Sequence, residues 1–440
     1  MSKTQHADIT AKCLSDNTDN SDSARVFTSH WIVTPDGVIE SGALALDGER
    51  ITFVGPQSEY QSSTQQSGNV TELGDSVIIP GLINAHVHTN FPADTKLSFQ
   101  RGSMTDWVKA ALSARESRDV FQQREDVTNA LERMQKAGIV AIGEIANDFV
   151  SLEPIVQSGM ICRFFAERLG FQSAVANDVT QTLIDEIATV QHALPVDAPV
   201  TIHPAPHAPY SCSSELIRRL TALSNRSTIH VAENKEEMEL LADGSGLWRE
   251  RLREIGKDDP QWSAPRLSPI QYLHSLGVLQ KGMSLVHAVH VDEIDINLIA
   301  ASGATVVLCL SSNEYIGVGR PPVIDFVEQG VPLALGTDSL ASNSELDMFA
   351  EVRCLRELFP GVSRKKILAL ATSAGSKALG YERSLGSLEV GKAPGVFAVD
   401  LSDLSAGSGA LDFASEEDLL DALITVGAEG LQQLAPAKLQ

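Results

Sequence analysis

Val77-Ile78-Ile79-Pro80-Gly81-Leu82-Ile83-Asn84-Ala85-His86-Val87-His88 is an apolar run that closes on two histidines one residue apart. Alternate residues of a strand share a face, so a strand ending in His-x-His presents both imidazoles on one side of a sheet, spaced to hold one metal ion. Histidine pairs also occur at surfaces by chance, so the rest of the chain has to carry the reading.

Downstream of Gly81, short apolar pieces alternate with longer amphipathic ones. The strand candidates are Ile139–Ile142, Ile161–Phe165, Val200–His203, Thr228–Val231, Ser284–Val289, Thr305–Leu310 and Pro332–Leu335. Strand-then-helix repetition over roughly 300 residues predicts an α/β fold, a parallel barrel with catalytic groups at the C-terminal ends of its strands. Upstream, Trp31-Ile32-Val33 and Ile51-Thr52-Phe53-Val54 alternate with turns such as Pro35-Asp36-Gly37, the pattern of a small antiparallel β unit. Strand-like sequence returns after Glu389 and is expected to rejoin the N-terminal β unit. Residues 1–25, polar and without periodicity, read as a flexible extension.

The composition narrows the function. With 57 acidic against 34 basic residues the net charge is -23, which opposes binding to nucleic acid or to anionic membranes. Five scattered cysteines without a Cys-x-x-Cys pair indicate neither a disulfide framework nor a thiolate metal cluster. No run reaches the length of a membrane span, and the amino terminus lacks the apolar core of a secretory signal. The expectation is a cytoplasmic protein. For a barrel of this size a homodimer is an open expectation.

Four further stretches place histidine or carboxylate just past an apolar strand. In His203-Pro204-Ala205-Pro206-His207-Ala208-Pro209 the prolines are expected to break regular structure and hold His207 in a loop. Ile229-His230-Val231-Ala232-Glu233 carries a histidine and, three residues on, a carboxylate able to move a proton. Leu285-Val286-His287-Ala288-Val289-His290 ends another strand, and Gly336-Thr337-Asp338-Ser339 ends the last. One divalent ion bound by His86, His88, His230 and Asp338 would keep a position for water, whose pKa falls from about 15.7 towards ~7 on such a site. Zinc is the expected ion, and Fe2+ suits the same ligands.

These motifs, together with Leu340-Ala341-Ser342-Asn343, resemble the amidohydrolase superfamily, and within it the mononuclear-metal aminohydrolases that deaminate adenosine-like nucleosides. The likeness spans roughly residues 26 to 400. It implies a distorted (β/α)8 TIM barrel over 81–388, a small β-sandwich built from both chain ends, 26–80 and 389–440, and a metal on His86, His88, His230 and Asp338. Glu233 is then the proton shuttle, and His287, rather than His290, orients the attacking water. The implied reaction is hydrolytic: Glu233 protonates a ring nitrogen, His287 and Asp338 take the proton of water as it adds to the adjacent carbon, and ammonia leaves. The strand-four candidate Ile161–Glu167 holds no lysine that could bridge two metals, which disfavours binuclear relatives.

The substrate is read from the loops. Phe99–Trp107 and the helix that follows resemble a segment that supplies a ribose-binding glutamate, a position matched by Glu116, although an exposed helix glutamate reads the same way. Trp107, His207 and Ser342 complete the substrate-binding candidates, and the loop of His207 could instead be structural. His207–Ser211, Glu233–Glu237, Gly244–Trp248 and Pro269–Leu273 look most like the aminodeoxyfutalosine deaminases of menaquinone biosynthesis. Deaminases of methylthioadenosine, S-adenosylhomocysteine or adenosine are the alternative; guanine or cytosine deaminases, or a non-catalytic nucleoside-binding barrel, are more remote. A benzoate-type substituent would want a cation, for which Arg168, Arg249 and Arg320 are candidates. One departure stands out: relatives carry Cys-Pro-x-Ser-Asn after the seventh strand, and here the run is Cys309-Leu310-Ser311-Ser312-Asn313-Glu314.

Overall fold

The computed structural model describes residues 25–62, 69–92, 97–405 and 411–440. The extension assigned to residues 1–25 lies outside the described residues except for Arg25. Eight strands succeed one another from Leu82 onward: Leu82–His88, Ile139–Ala146, Ile161–Arg168, Val200–Pro206, Ser227–Val231, Met283–His287, Thr305–Leu308 and Leu333–Leu335, the last continued by Asp338–Ser339. Every pair formed among them is parallel. The eighth returns to the first, with Asp338 opposite Val87 and Ser339 opposite His88. Asn84 ties the junction, accepting from the Thr337 amide at 3.1 Å and donating to its hydroxyl at 2.7 Å.

Regular pairing lapses between the fourth and fifth strands. The His207 amide donates to the Arg168 carbonyl, so by alternation an N–H at 205 or 207 points to the third strand and one at 204 or 206 would point to the fifth. Both of the latter are prolines and have no N–H to give. Two bonds span the seam instead, His230 amide to His207 carbonyl at 2.9 Å and Ser227 Oγ to Pro204 carbonyl at 3.1 Å. Pro204 and Pro206 therefore lie within the strand and end its pairing on one side rather than breaking it, while His207 follows in the loop as expected. The strand numbering also needs correction. Ile161–Arg168 is the third strand, and the fourth, Val200–Pro206, carries no lysine either.

Both chain ends meet in a seven-stranded sheet ordered Leu431–Ala437, Pro394–Asp400, Ser76–Pro80, Arg25–Thr34, Gly37–Asp47 and Arg50–Pro56, with Asn69–Glu72 beside Arg25–Thr34. Its core is Phe27, Ile32, Leu44, Leu46, Ile51, Ile78, Val396 and Ala398. The helix Glu416–Val426 lies within the stretch 389–440 yet buries Leu419, Leu420, Leu423 and Ile424 in the same apolar cluster as the barrel. Its i, i+1, i+4, i+5 spacing gives it one apolar face, and that face goes to the larger core. No helix among the described residues is long and apolar enough to cross a membrane.

Gly336 sets how closely the eighth strand approaches the first. A Cβ there would lie 2.7 Å from His86 Cβ and 2.8 Å from its carbonyl oxygen. Gly336→Ala is expected to cost about 1–3 kcal/mol, as overpacking of a dense interior does, read as a lowered urea midpoint; an unchanged midpoint contradicts this approach.

Candidate metal centre and cavity

His86 and His88 leave the first strand, His230 the fifth and His287 the sixth, and Asp338 opens the last paired segment. Ala232, His287, Ala288 and Asp338 all have left-handed backbones, with φ of 50°, 73°, 45° and 59°. Non-glycine residues pay about 1–3 kcal/mol each for such conformations, which persist where the surroundings over-determine them. Here the sharp turns bring side chains from separate strands over one point.

His88 Nε2 and His230 Nε2 are 3.4 Å apart, and His86 Nε2 and His88 Nε2 each lie 3.7 Å from Asp338 Oδ1. Ligand atoms about 2.0–2.2 Å from a tetrahedral ion stand about 3.3–3.6 Å from one another, so the spacing fits a single small cation. Both ring nitrogens of His86 are buried without a hydrogen-bond partner. An imidazole left so in a dry interior is costly unless a cation takes its lone pair.

The electrostatics favour neutral imidazoles at His86 and His88 but the protonated form at His230, whose proton a bound cation would displace. Burial pulls His86 down to about 4 and His88 to about 3. For His230 burial acts in the same direction but is overcome by Glu167, which raises it to about 9. Asp338 is held well below the usual carboxylate range: burial opposes ionisation, and contact with His86 and the charges of His88 and His287 override it. Its Oδ2 accepts from Ser312 Oγ at 2.6 Å and Ser342 Oγ at 2.9 Å. Ser342 thus stands behind Asp338 and does not line the cavity.

Glu233 Oε1 lies 3.3 Å from His287 Nε2, and His287 Nδ1 bonds Asn313 Oδ1 at 2.9 Å. Because the amide oxygen only accepts, Nδ1 carries the hydrogen and Nε2 keeps a lone pair. The departure at Leu310 leaves these contacts in place: Leu310–Ile316 forms a helix rather than continuing the strand, with Ser312 on Asp338 and Asn313 on His287. Leu310 also supplies an N–H that a proline would lack, donated to Glu351 Oε2 at 3.1 Å.

Glu351 is one of three fully buried carboxylates that hold the mouth loops by their amides. It takes Leu310, Ser311 and the Asn343 side chain. Glu144 takes the amide and hydroxyl of Thr89, next to His88, and Glu237 takes the Glu233 amide at 3.1 Å. Burial raises Glu144 and Glu237 to about 8 and Glu351 to about 7.

A cavity opens over the centre, lined by His88, Glu167, His207, His230, Glu233, His287 and Asp338 on its floor and by Phe91, Met104, Trp107, Val108, Leu112 and Leu169 further out. His207 Nδ1 bonds Ser211 Oγ at 2.6 Å, and Trp107 Nε1 donates to the Ala341 carbonyl at 3.2 Å. Glu116 is not brought here: it is exposed at the end of the helix Met104–Glu116 and outside the cavity lining. Nor are the arginines. Arg168 pairs with Glu186, Arg249 with Asp258 and Arg320 with Glu314. The floor residue that sequence reading passed over is Glu167, a carboxylate at the end of the apolar strand Ile161–Arg168.

The Amidohydrolase family model matches residues 77–427. A 5-methylthioadenosine/S-adenosylhomocysteine deaminase of Moorella thermoacetica is 27% identical over 83% of this chain and 82% of its own. An aminodeoxyfutalosine deaminase of Deinococcus radiodurans is 28% identical over 81% and 86%. Among solved structures, Helicobacter pylori aminofutalosine deaminase in complex with methylthio-coformycin superposes with a TM-score of 0.78 at 19% identity, covering 93% of this chain and 97% of that one.

Glu351→Ala removes the acceptor shared by the seventh-strand and eighth-strand loops. Three donors lose their partner, and each buried orphan costs about 1–3 kcal/mol. The expected result is a lowered urea midpoint together with weaker metal retention on dialysis; full retention contradicts a role for Glu351 in holding these loops.

Proposed function

The chain belongs to the amidohydrolase family, and from that premise we propose that it is a metal-dependent aminohydrolase that deaminates an adenine nucleoside. It is a hydrolase acting on C–N bonds. The observation that carries the reading is the pair Glu233 and His287, 3.3 Å apart, on the cavity floor beside the ligand cluster.

A divalent ion on His86, His88, His230 and Asp338, when bound, supplies a water activated at neutral pH. The remaining work belongs to side chains. Burial, with the charges of Asp338 and Glu237 behind it and His230 opposing, raises Glu233 to about 8, so its carboxyl holds a proton at neutral pH. That proton suits transfer to a ring nitrogen, which makes the adjacent carbon electrophilic. His287, kept neutral by a shift to about 4 that burial dominates, offers its Nε2 lone pair to the attacking water. The ionised Asp338 accepts alongside it. Glu233, ionised by that first transfer, takes the proton of the adduct's hydroxyl as the carbonyl forms and passes it to the exocyclic amine, which leaves as ammonia; the water proton held by His287 and Asp338 then restores the Glu233 carboxyl across the 3.3 Å contact with His287.

For the finer substrate, aminodeoxyfutalosine is supported by the loop likenesses and by the Deinococcus relative. A thioether nucleoside is the second reading, favoured by a specific observation: the cavity's outer wall is apolar, and Arg168, Arg249 and Arg320 are each paired elsewhere.

Ammonia release from 6-amino-6-deoxyfutalosine, methylthioadenosine, S-adenosylhomocysteine and adenosine tests the proposal. A preference of ~100-fold in kcat/KM, about 2.7 kcal/mol in transition-state binding, assigns the substrate; ammonia from none overturns the reading. Glu233→Gln should lower kcat by about 10²–10⁴-fold with metal content unchanged, and wild-type kcat in the variant removes Glu233 as the shuttle. Chelation is expected to abolish turnover and added zinc to restore it; turnover that survives metal removal contradicts the mechanism.

A further inference from the structure

We propose that Glu167 is the carboxylate that receives the sugar hydroxyls of the substrate, an inference that rests on the nucleoside reading above. Recognition of a ribose calls for an acceptor on the cavity wall, and Glu116 is exposed and off that wall. Glu167 lies on it, 3% exposed, between Asn147 and His207.

Its two oxygens are not equivalent. Oε2 accepts from Asn147 Nδ2 at 2.7 Å, and Asn147 is fixed in turn by Arg115 Nη1 at 3.1 Å. Arg115 is anchored on Asp148 at 2.6 Å, so the helix Met104–Glu116 reaches the site through the neighbour of Glu116. Oε1 is buried with no hydrogen-bond partner. The nearest donor, His230 Nδ1, is 3.4 Å away and lies closer to the His207 carbonyl, at 3.2 Å. A carboxylate offers about four lone-pair positions, and a buried one left short of donors is costly. Two vicinal hydroxyls supply the missing donors.

The test takes the best substrate of the nucleoside panel with its 2′-deoxy and 3′-deoxy counterparts, on wild type and on the isosteric Glu167→Gln, with metal content measured in both. Expected for wild type is a loss of ~10–100-fold in kcat/KM when either hydroxyl is removed, since a site built to bond a hydroxyl rejects the analogue lacking it. Glu167→Gln should lose a similar factor on the parent nucleoside, less than about threefold on the deoxy forms, and no metal. Wild type that deaminates parent and deoxy forms equally overturns the inference and leaves the deaminase reading intact. An equal loss on all three substrates, with depleted metal, also overturns it and assigns Glu167 to orienting His230. Ammonia from no nucleoside overturns this inference and the underlying reading together.

Discussion

The crowding of His86, His88, His230 and Asp338 at one buried end of the barrel is the constraint on which the rest depends. Three imidazoles with nitrogens 3.4–3.7 Å from a neighbouring imidazole or carboxylate repel if protonated, and His86 has no hydrogen-bond partner if neutral. A shared cation makes the arrangement favourable. Much around it serves to hold that geometry: left-handed turns at Ala232, His287, Ala288 and Asp338, and the buried carboxylates Glu144, Glu237 and Glu351 clamped on loop amides. Outer groups of this kind fix ligand orientation and share in metal affinity.

The same scaffold separates two carboxylates into opposite states. Glu233 sits where burial dominates and holds its proton, whereas Asp338 sits against His86, receives two serine hydroxyls and stays ionised. Pairs driven apart in this way mark an acid and a base within one site. His287 links them, its tautomer set by Asn313.

The candidate ligands were legible in the sequence because each ends or follows an apolar strand, and the structure brings them together. His86-Val87-His88 and Ile229-His230-Val231 were each weak alone, and it was the ordered set of strand ends that carried the reading. What failed to show was whatever depends on lateral packing. Prolines 204 and 206 suggested a break, but whether a missing N–H matters depends on which neighbour it would have faced. Glu116 had the spacing of a sugar ligand, yet the helix turns it to solvent and directs Arg115 inward. Glu167 was hidden by a strand that runs to Arg168 rather than ending at Phe165. The Leu310 substitution could be seen, but not that Ser312 and Asn313 keep their contacts, because those partners are distant in the chain.

The central claim is that the strand ends assemble one metal centre from groups far apart in sequence. Anomalous diffraction at the zinc edge from crystals of the zinc-loaded protein tests it most directly. The account predicts one peak, about 2.0–2.2 Å from a ring nitrogen of each of His86, His88 and His230 and from an oxygen of Asp338. A peak displaced to Glu167 and His207, or no peak at the barrel mouth, would contradict it.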